Sequence, residues 1–160
     1  MDSFRRVSFT GLLLKILRQT ASFGGRSTRA ELIVGLIAAL VLARVAVLLA
    51  ELAAPNGNPW PAIVLQVIAA LPLPALIVRR LHDHSRSGWW IMPALFAFTL
   101  AIARSIVAAT QGFEARIALD RVIWPLDWIA IVGNVAMLVL LVLPGTKGPN
   151  RFGPDPRRGA

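Results

Sequence analysis

Four long apolar runs decide what this chain can become. They extend from Leu32 to Ala50, broken only by Arg44, and from Trp60 to Val78, with no charge at all. The third extends from Trp89 to Ala109 with Arg104 near its end, and the fourth from Val122 to Leu143 with Asp127 near its start. Crossing a hydrocarbon core takes about 20 apolar residues as helix, and each run is of that order. Every backbone N–H and C=O must be paired inside lipid, so the runs predict helices and not strands of an open sheet. Pro72 and Pro74 lack an N–H and crowd the preceding turn, which predicts a kink in the second helix. The expected fold is an all-α membrane protein with four transmembrane helices.

Composition agrees. Of 160 residues, 56% are hydrophobic and 16% charged, with a mean hydropathy of +0.66. Soluble domains run nearer about 45–50% and about 25%. The apolar excess also excludes disorder. Cysteine is absent, which removes disulfide frameworks, thiolate zinc sites, iron–sulfur clusters and cysteine nucleophiles. The net charge is +9, and 15 of the 17 basic residues are arginine. Nucleic-acid binding needs a soluble basic face that the chain barely has, so the charge points to anionic lipid headgroups.

The connections are turns. Pro55-Asn56-Gly57-Asn58-Pro59 makes the first two helices a tight antiparallel hairpin, His82 to Gly88 separates the second and third, and polar Thr110 to Arg121 separates the third and fourth. Residues 1–22 are too interrupted by Lys15 and Arg18 for a signal peptide. They predict an interfacial amphipathic helix, with Leu13, Ile16 and Leu17 on one face and Lys15 and Arg18 reaching lipid phosphates. Residues 23–143 form the transmembrane domain, and residues 144–160 a Pro-, Gly- and Arg-rich tail.

Orientation follows from the basic residues. Thirteen fall in the N-terminal segment, the loop between helices two and three, and the tail; two fall in the other loops, Arg116 and Arg121. The positive-inside rule then predicts a multi-pass membrane protein with both termini cytoplasmic. Trp60, Trp124 and Trp128 mark the outer helix ends, and Trp89 and Trp90 an inner one.

That topology gathers three polar motifs on the cytoplasmic face. The first is Phe23-Gly24-Gly25-Arg26-Ser27-Thr28-Arg29-Ala30-Glu31, and the second runs from Arg79-Arg80-Leu81-His82-Asp83-His84 through Ser85 and Arg86 to Ser87-Gly88-Trp89-Trp90. The third is Gly148-Pro149-Asn150-Arg151-Phe152-Gly153-Pro154-Asp155-Pro156. With RRLHD…SGWW and GxNRFGxDP in place, nearly the whole chain resembles the bacterial inner-membrane family catalogued as domain of unknown function 805. The first motif is similar to that family's GRxxRxEYW, with Leu32 and Ile33 where the pattern has aromatics. The resemblance implies a small four-helix inner-membrane protein and brings no activity, cofactor or catalytic residue.

The residues themselves allow one polar layer centred on Asp83, with Arg26, Arg29, Glu31, Arg79, Arg80, His82, Ser87, Gly88, Trp89, Asn150, Arg151 and Asp155 around it. Asp83 is expected to pair with neighbouring arginines, and Ser85 or Ser87 to cap the third helix. His82 and His84 are the only histidines, two apart on a helix, and zinc wants three or four ligands, so no metal site is expected. Phe152 is expected in the membrane interface.

Inside the membrane, Arg44, Arg104 and Asp127 all fall in the outer half. At helical rise Arg44 lies roughly 18 Å and Arg104 roughly 23 Å from the inner end, and Asp127 less than roughly 10 Å from the outer one. Such groups must pair, face water or snorkel, which predicts Asp127 paired with Arg44 or Arg104. Three functions fit. The leading one is a non-catalytic protein whose cytoplasmic polar face serves assembly, with a homo-oligomer or another membrane protein as partner. A transporter or channel subunit would use the outer-half charges, and a membrane enzyme would centre on His82, Asp83 and His84.

Overall fold

The computed structural model describes residues 9–53 and 58–157. The breakers at 55–57, the basic pair Arg5 and Arg6, and the side chains of Leu13 and Glu51 lie outside what is described. Helices dominate the described residues: α1 (Phe9–Arg18), α2 (Arg29–Ala53), α3 (Trp60–Ala70), α4 (Pro72–Asp83), α5 (Met92–Gln111) and α6 (Phe113–Val142), with a 3-10 turn at Gly88–Ile91 leading into α5. Four spans among the described residues are long and apolar enough to cross a membrane, with α3 and α4 making one of them. The protein is an all-α membrane protein.

The break between α3 and α4 falls at Leu71, immediately before Pro72, where the expected kink belongs. Two boundaries differ from expectation. The second span runs on to Asp83 instead of ending at Val78, because the polar side chains of Arg79–Asp83 are buried and bonded, not left in a loop. The fourth begins at Phe113, so Thr110 to Arg121 is helical apart from Gly112. Charged side chains on an exposed helical face break nothing; only Gly112, with φ of +87°, turns the chain.

The interior gathers at the arginine-rich end of the bundle. There Leu32 of α2, Leu76, Ile77, Val78 and Leu81 of α4, Ile91, and Met137 and Leu141 of α6 form one buried cluster. Close approach of α2 to α4 depends on Gly35, where a Cβ would collide with Leu76 Cδ2. Toward the other end the helices keep apolar side chains outward, among them Leu40, Leu48, Val132 and Val139, as a lipid-facing surface requires.

On α1, Ile16 is buried beside Gly35 while Leu17 points outward, 57% exposed. Lys15 does not serve only the lipid: its Nζ lies 2.9 Å from Glu31 Oε1. That bond ties α1 to the first turn of α2. Thr28 caps this turn, its Oγ1 accepting the Glu31 N–H at 3.2 Å.

Candidate functional site

Asp83 closes α4 and is 2% exposed. A carboxylate so placed is costly unless every lone pair finds a donor. Two guanidinium groups supply them. Arg26, in the segment before α2, donates to Oδ1 from Nε at 2.9 Å and from Nη2 at 2.6 Å. Arg80, one helical turn before Asp83, donates to Oδ2.

Each arginine is itself fully engaged. Arg80 Nε donates to the Leu141 carbonyl at 2.8 Å and Nη2 to that of Leu143 at 2.6 Å. These lie at the C-terminal end of α6, where carbonyls have no helical partner and the macrodipole favours a cation. Arg26 reaches the tail, donating to the carbonyls of Gly148 and Thr146, each at 2.6 Å.

The tail returns the contact by capping α4. The Asp83 carbonyl accepts the Thr146 amide at 2.8 Å and its hydroxyl at 2.9 Å. Asn150 Nδ2 donates to the His82 carbonyl at 2.9 Å and to Thr146 Oγ1 at 3.0 Å. Phe152 lies flat on the His82 ring, centroids 3.8 Å apart and planes 3° from parallel, so it stacks within the layer. Arg151 stands over Phe152 at 4.6 Å and donates to the Ser85 carbonyl at 3.1 Å. His82 Nδ1 meets the Gly25 carbonyl at 3.1 Å. Chain segments distant in sequence thus close on one aspartate.

The other expected members divide. Arg79, 3% exposed, donates to Gln19 Oε1 on one side of the layer. Asp155 accepts from Arg157 Nε at 2.8 Å and from the Gly148 amide at 3.1 Å. The Arg157 bonds hold its carboxyl well below the usual carboxylate range. Arg29 is exposed and outside the network. Ser87 starts the 3-10 turn with extended backbone and no side-chain cap, and Ser85, with φ of +57°, sets a turn. The expected serine cap is therefore absent. Gly88 packs against Val78, and Trp89, 77% exposed, faces outward.

His84, just beyond α4, has Nε2 buried without a partner among the described residues. Burial, then the charge of Arg80, pushes its pKa down. Among the described residues no three His, Asp or Glu side chains converge as a metal site.

The intramembrane charges pair on one side only. Arg104 Nη2 donates to both Asp127 oxygens, at 2.7 and 2.6 Å, while Nε donates to Asp120 at 2.6 Å. Arg44 lies exposed on α2 and joins none of these groups. Of the two expected partners for Asp127, Arg104 is the one brought to it.

Sequence reasoning did not find Gly145, Thr146, Gln19 or Asp120. Asp120 was hidden in a stretch read as loop, though it stands seven residues before Asp127, two helical turns along one face. Asn134 was also missed; its Nδ2 donates to the Pro93 carbonyl at 3.0 Å and binds α6 to α5.

Residues 20–154 match the family described as "Protein of unknown function (DUF805)". Among curated proteins, the chain is similar to inner membrane protein YhaI of Escherichia coli K12, 28% identical over 148 residues, covering 92% of this chain and 96% of that one. It is equally similar to inner membrane protein YhaH of the same strain, 28% identical over 148 residues, covering 90% and 94%. No solved structure gives a significant match.

Proposed function

The chain belongs to the DUF805 family of inner membrane proteins, and from that premise we propose that it is a non-catalytic membrane protein whose tail-capped polar layer is a cytoplasmic docking face. The observation that carries this reading is the closed network around Asp83. Both carboxylate oxygens and the donors of Arg26 and Arg80 are spent on one another and on backbone carbonyls. A catalytic acid needs an open approach to substrate. Here the Asp83 side chain is 2% exposed, and Gly145 packs against it so closely that a Cβ at its position would overlap the carboxylate.

What such a network does supply is rigidity. It holds the tail and the segment before α2 in one fixed surface, with Arg29, Arg151 and Trp89 facing outward. The basic asymmetry of the sequence supports a cytoplasmic position for it, with both termini on that side. A second copy or another membrane protein is the expected partner. A transport role would use the outer-half charges, of which Arg104 and Asp127 are already bonded to each other.

Crosslinking in native membranes followed by mass spectrometry tests the docking reading. Crosslinks from Lys147, to a second copy or to one repeated membrane partner, are expected. Their absence, together with solute flux in liposomes, would replace docking with transport. Reporter fusions at Ala160 and Gly57 check the orientation, and a periplasmic C-terminus would overturn it.

A further inference from the structure

A cavity of about 380 Å³ with charged side chains in its lining opens between the start of α2, the end of α4 and the tail. That volume lies in the range of small-molecule sites, about 300–1,000 Å³. Its lining includes Thr28, Arg29, Arg80, Asp83, Gly145 and Arg157. We infer that this cavity binds a phosphate group, either the headgroup phosphate of an anionic lipid or a free phosphate ion.

The charge balance favours an anion. Asp83 is the one acid in the lining, and Arg26 and Arg80 both bond it. Asp155 is occupied by Arg157. Four arginines therefore stand against two aspartates, a surplus of two positive charges around one concavity.

The donors are available as well. Arg29 has no hydrogen-bond or ion-pair partner among the described residues and lines the opening. The amides of Arg29 and Ala30 begin α2 without an acceptor among the described residues, since the Thr28 cap takes only the Glu31 amide. Arg157 directs Nε and Nη2 to Asp155 and the Thr146 carbonyl, and its Nη1 meets no acceptor among the described residues. A guanidinium fork and unpaired amides match the oxygens of a phosphate.

Position adds a source. α2 enters the apolar span at Arg29, and exposed Trp89 and Trp90 mark the same end of the bundle. A headgroup in the adjoining leaflet stands at the level of the cavity. The inference rests on the docking reading only for which leaflet that is, because a bilayer patch offers both.

The test uses the full-length protein in bilayer discs of phosphatidylcholine with and without phosphatidylglycerol, read by native mass spectrometry. A parallel arm measures thermal midpoints in detergent with inorganic phosphate against chloride at equal ionic strength. Arg29→Gln removes the freest donor without touching the network, and Arg121→Gln removes the same charge at the opposite end.

Retention of phosphatidylglycerol by the wild type and by Arg121→Gln, about tenfold weaker in Arg29→Gln, is expected for loss of one charged hydrogen bond. A midpoint raised by phosphate alone, and lost in Arg29→Gln, makes the free ion the ligand. No retention and no midpoint shift in the wild type would overturn the site. So would equal losses in both variants, which mark diffuse attraction to a basic protein. Neither result bears on crosslinking, so failure of this site and failure of the docking reading stay separate.

Discussion

Gly145 lies against the carboxylate of Asp83 so closely that a Cβ there would overlap both Cγ and Oδ2. The tail descends from α6 over the end of α4 only because this residue has no side chain. Gly145→Ala must push the carboxylate off its arginines or lift the tail, so a loss of about 1–3 kcal/mol is expected, the range for overpacking. Gly24→Ala meets open space and should stay within about 0.5 kcal/mol. Denaturant titration in detergent compares the two. Equal midpoints would mean that Asp83 does not sit beneath the tail.

Asp83→Asn tests the same layer from its centre. It leaves Arg26 and Arg80, 9% and 1% exposed, without the charge they surround. Removing one partner of a buried ion pair typically costs about 3–5 kcal/mol. The tail should loosen with it, so trypsin should cut faster after Arg151. Glu114→Gln, exposed at the opposite end, should change neither stability nor cleavage. Matching, negligible effects would reduce Asp83 to a solvated acid.

The bundle was legible because apolar runs in lipid have almost one solution. The layer was legible in part, since topology alone puts Arg26, Asp83 and Asn150 at one end. What sequence could not give was the tail's path. Thr146 and Gly145 carry no charge, and their importance comes from the capped carbonyls of α4 and from clearance above Asp83. His82 and Phe152 likewise read as interfacial residues, and only their stacking makes them a joint. Boundaries failed where polarity was equated with loop, at Arg79–Asp83 and again before Val122.

Arg104 meets Asp120 and Asp127 together, so the three should not behave as one simple pair. Asp127→Ala leaves Arg104 with Asp120 and should cost less than the roughly 2.5–3.5 kcal/mol of a lone charge at the bilayer centre. Arg104→Gln strands two acids and should cost more than either aspartate change. Combining Arg104→Gln with Asp127→Ala should recover part of that loss, whereas Arg44→Gln with Asp127→Ala should simply add. Thermal midpoints of the four single variants, Asp120→Ala among them, and of the two combinations decide it, and additivity in both combinations would count against the pair.

His84 gives the protein a pH dependence of defined sign. Its Nε2 is buried without a partner among the described residues, and Arg80, Arg29 and Arg86 repel a proton there while Asp83 attracts one. Burial is the larger cause, and the folded pKa falls below the ordinary 6.5. Above that value both folded and unfolded chains carry a neutral imidazole, so the full stability is present. As pH drops below it, the unfolded chain binds the proton first and stability declines until the folded pKa is passed. Asp155 acts in the same direction but lower, below about pH 4, where an unfolded carboxylate protonates. A midpoint measured from about pH 7.5 to about pH 5 should therefore fall in the wild type. His84→Phe, which needs no partner for a ring nitrogen, should flatten that part of the curve and leave the acid limb below pH 4 in place. Because the two chains differ only at residue 84, the contribution of every other titrating group cancels in the comparison. Parallel curves for wild type and His84→Phe would show that the imidazole takes up its proton equally well folded and unfolded.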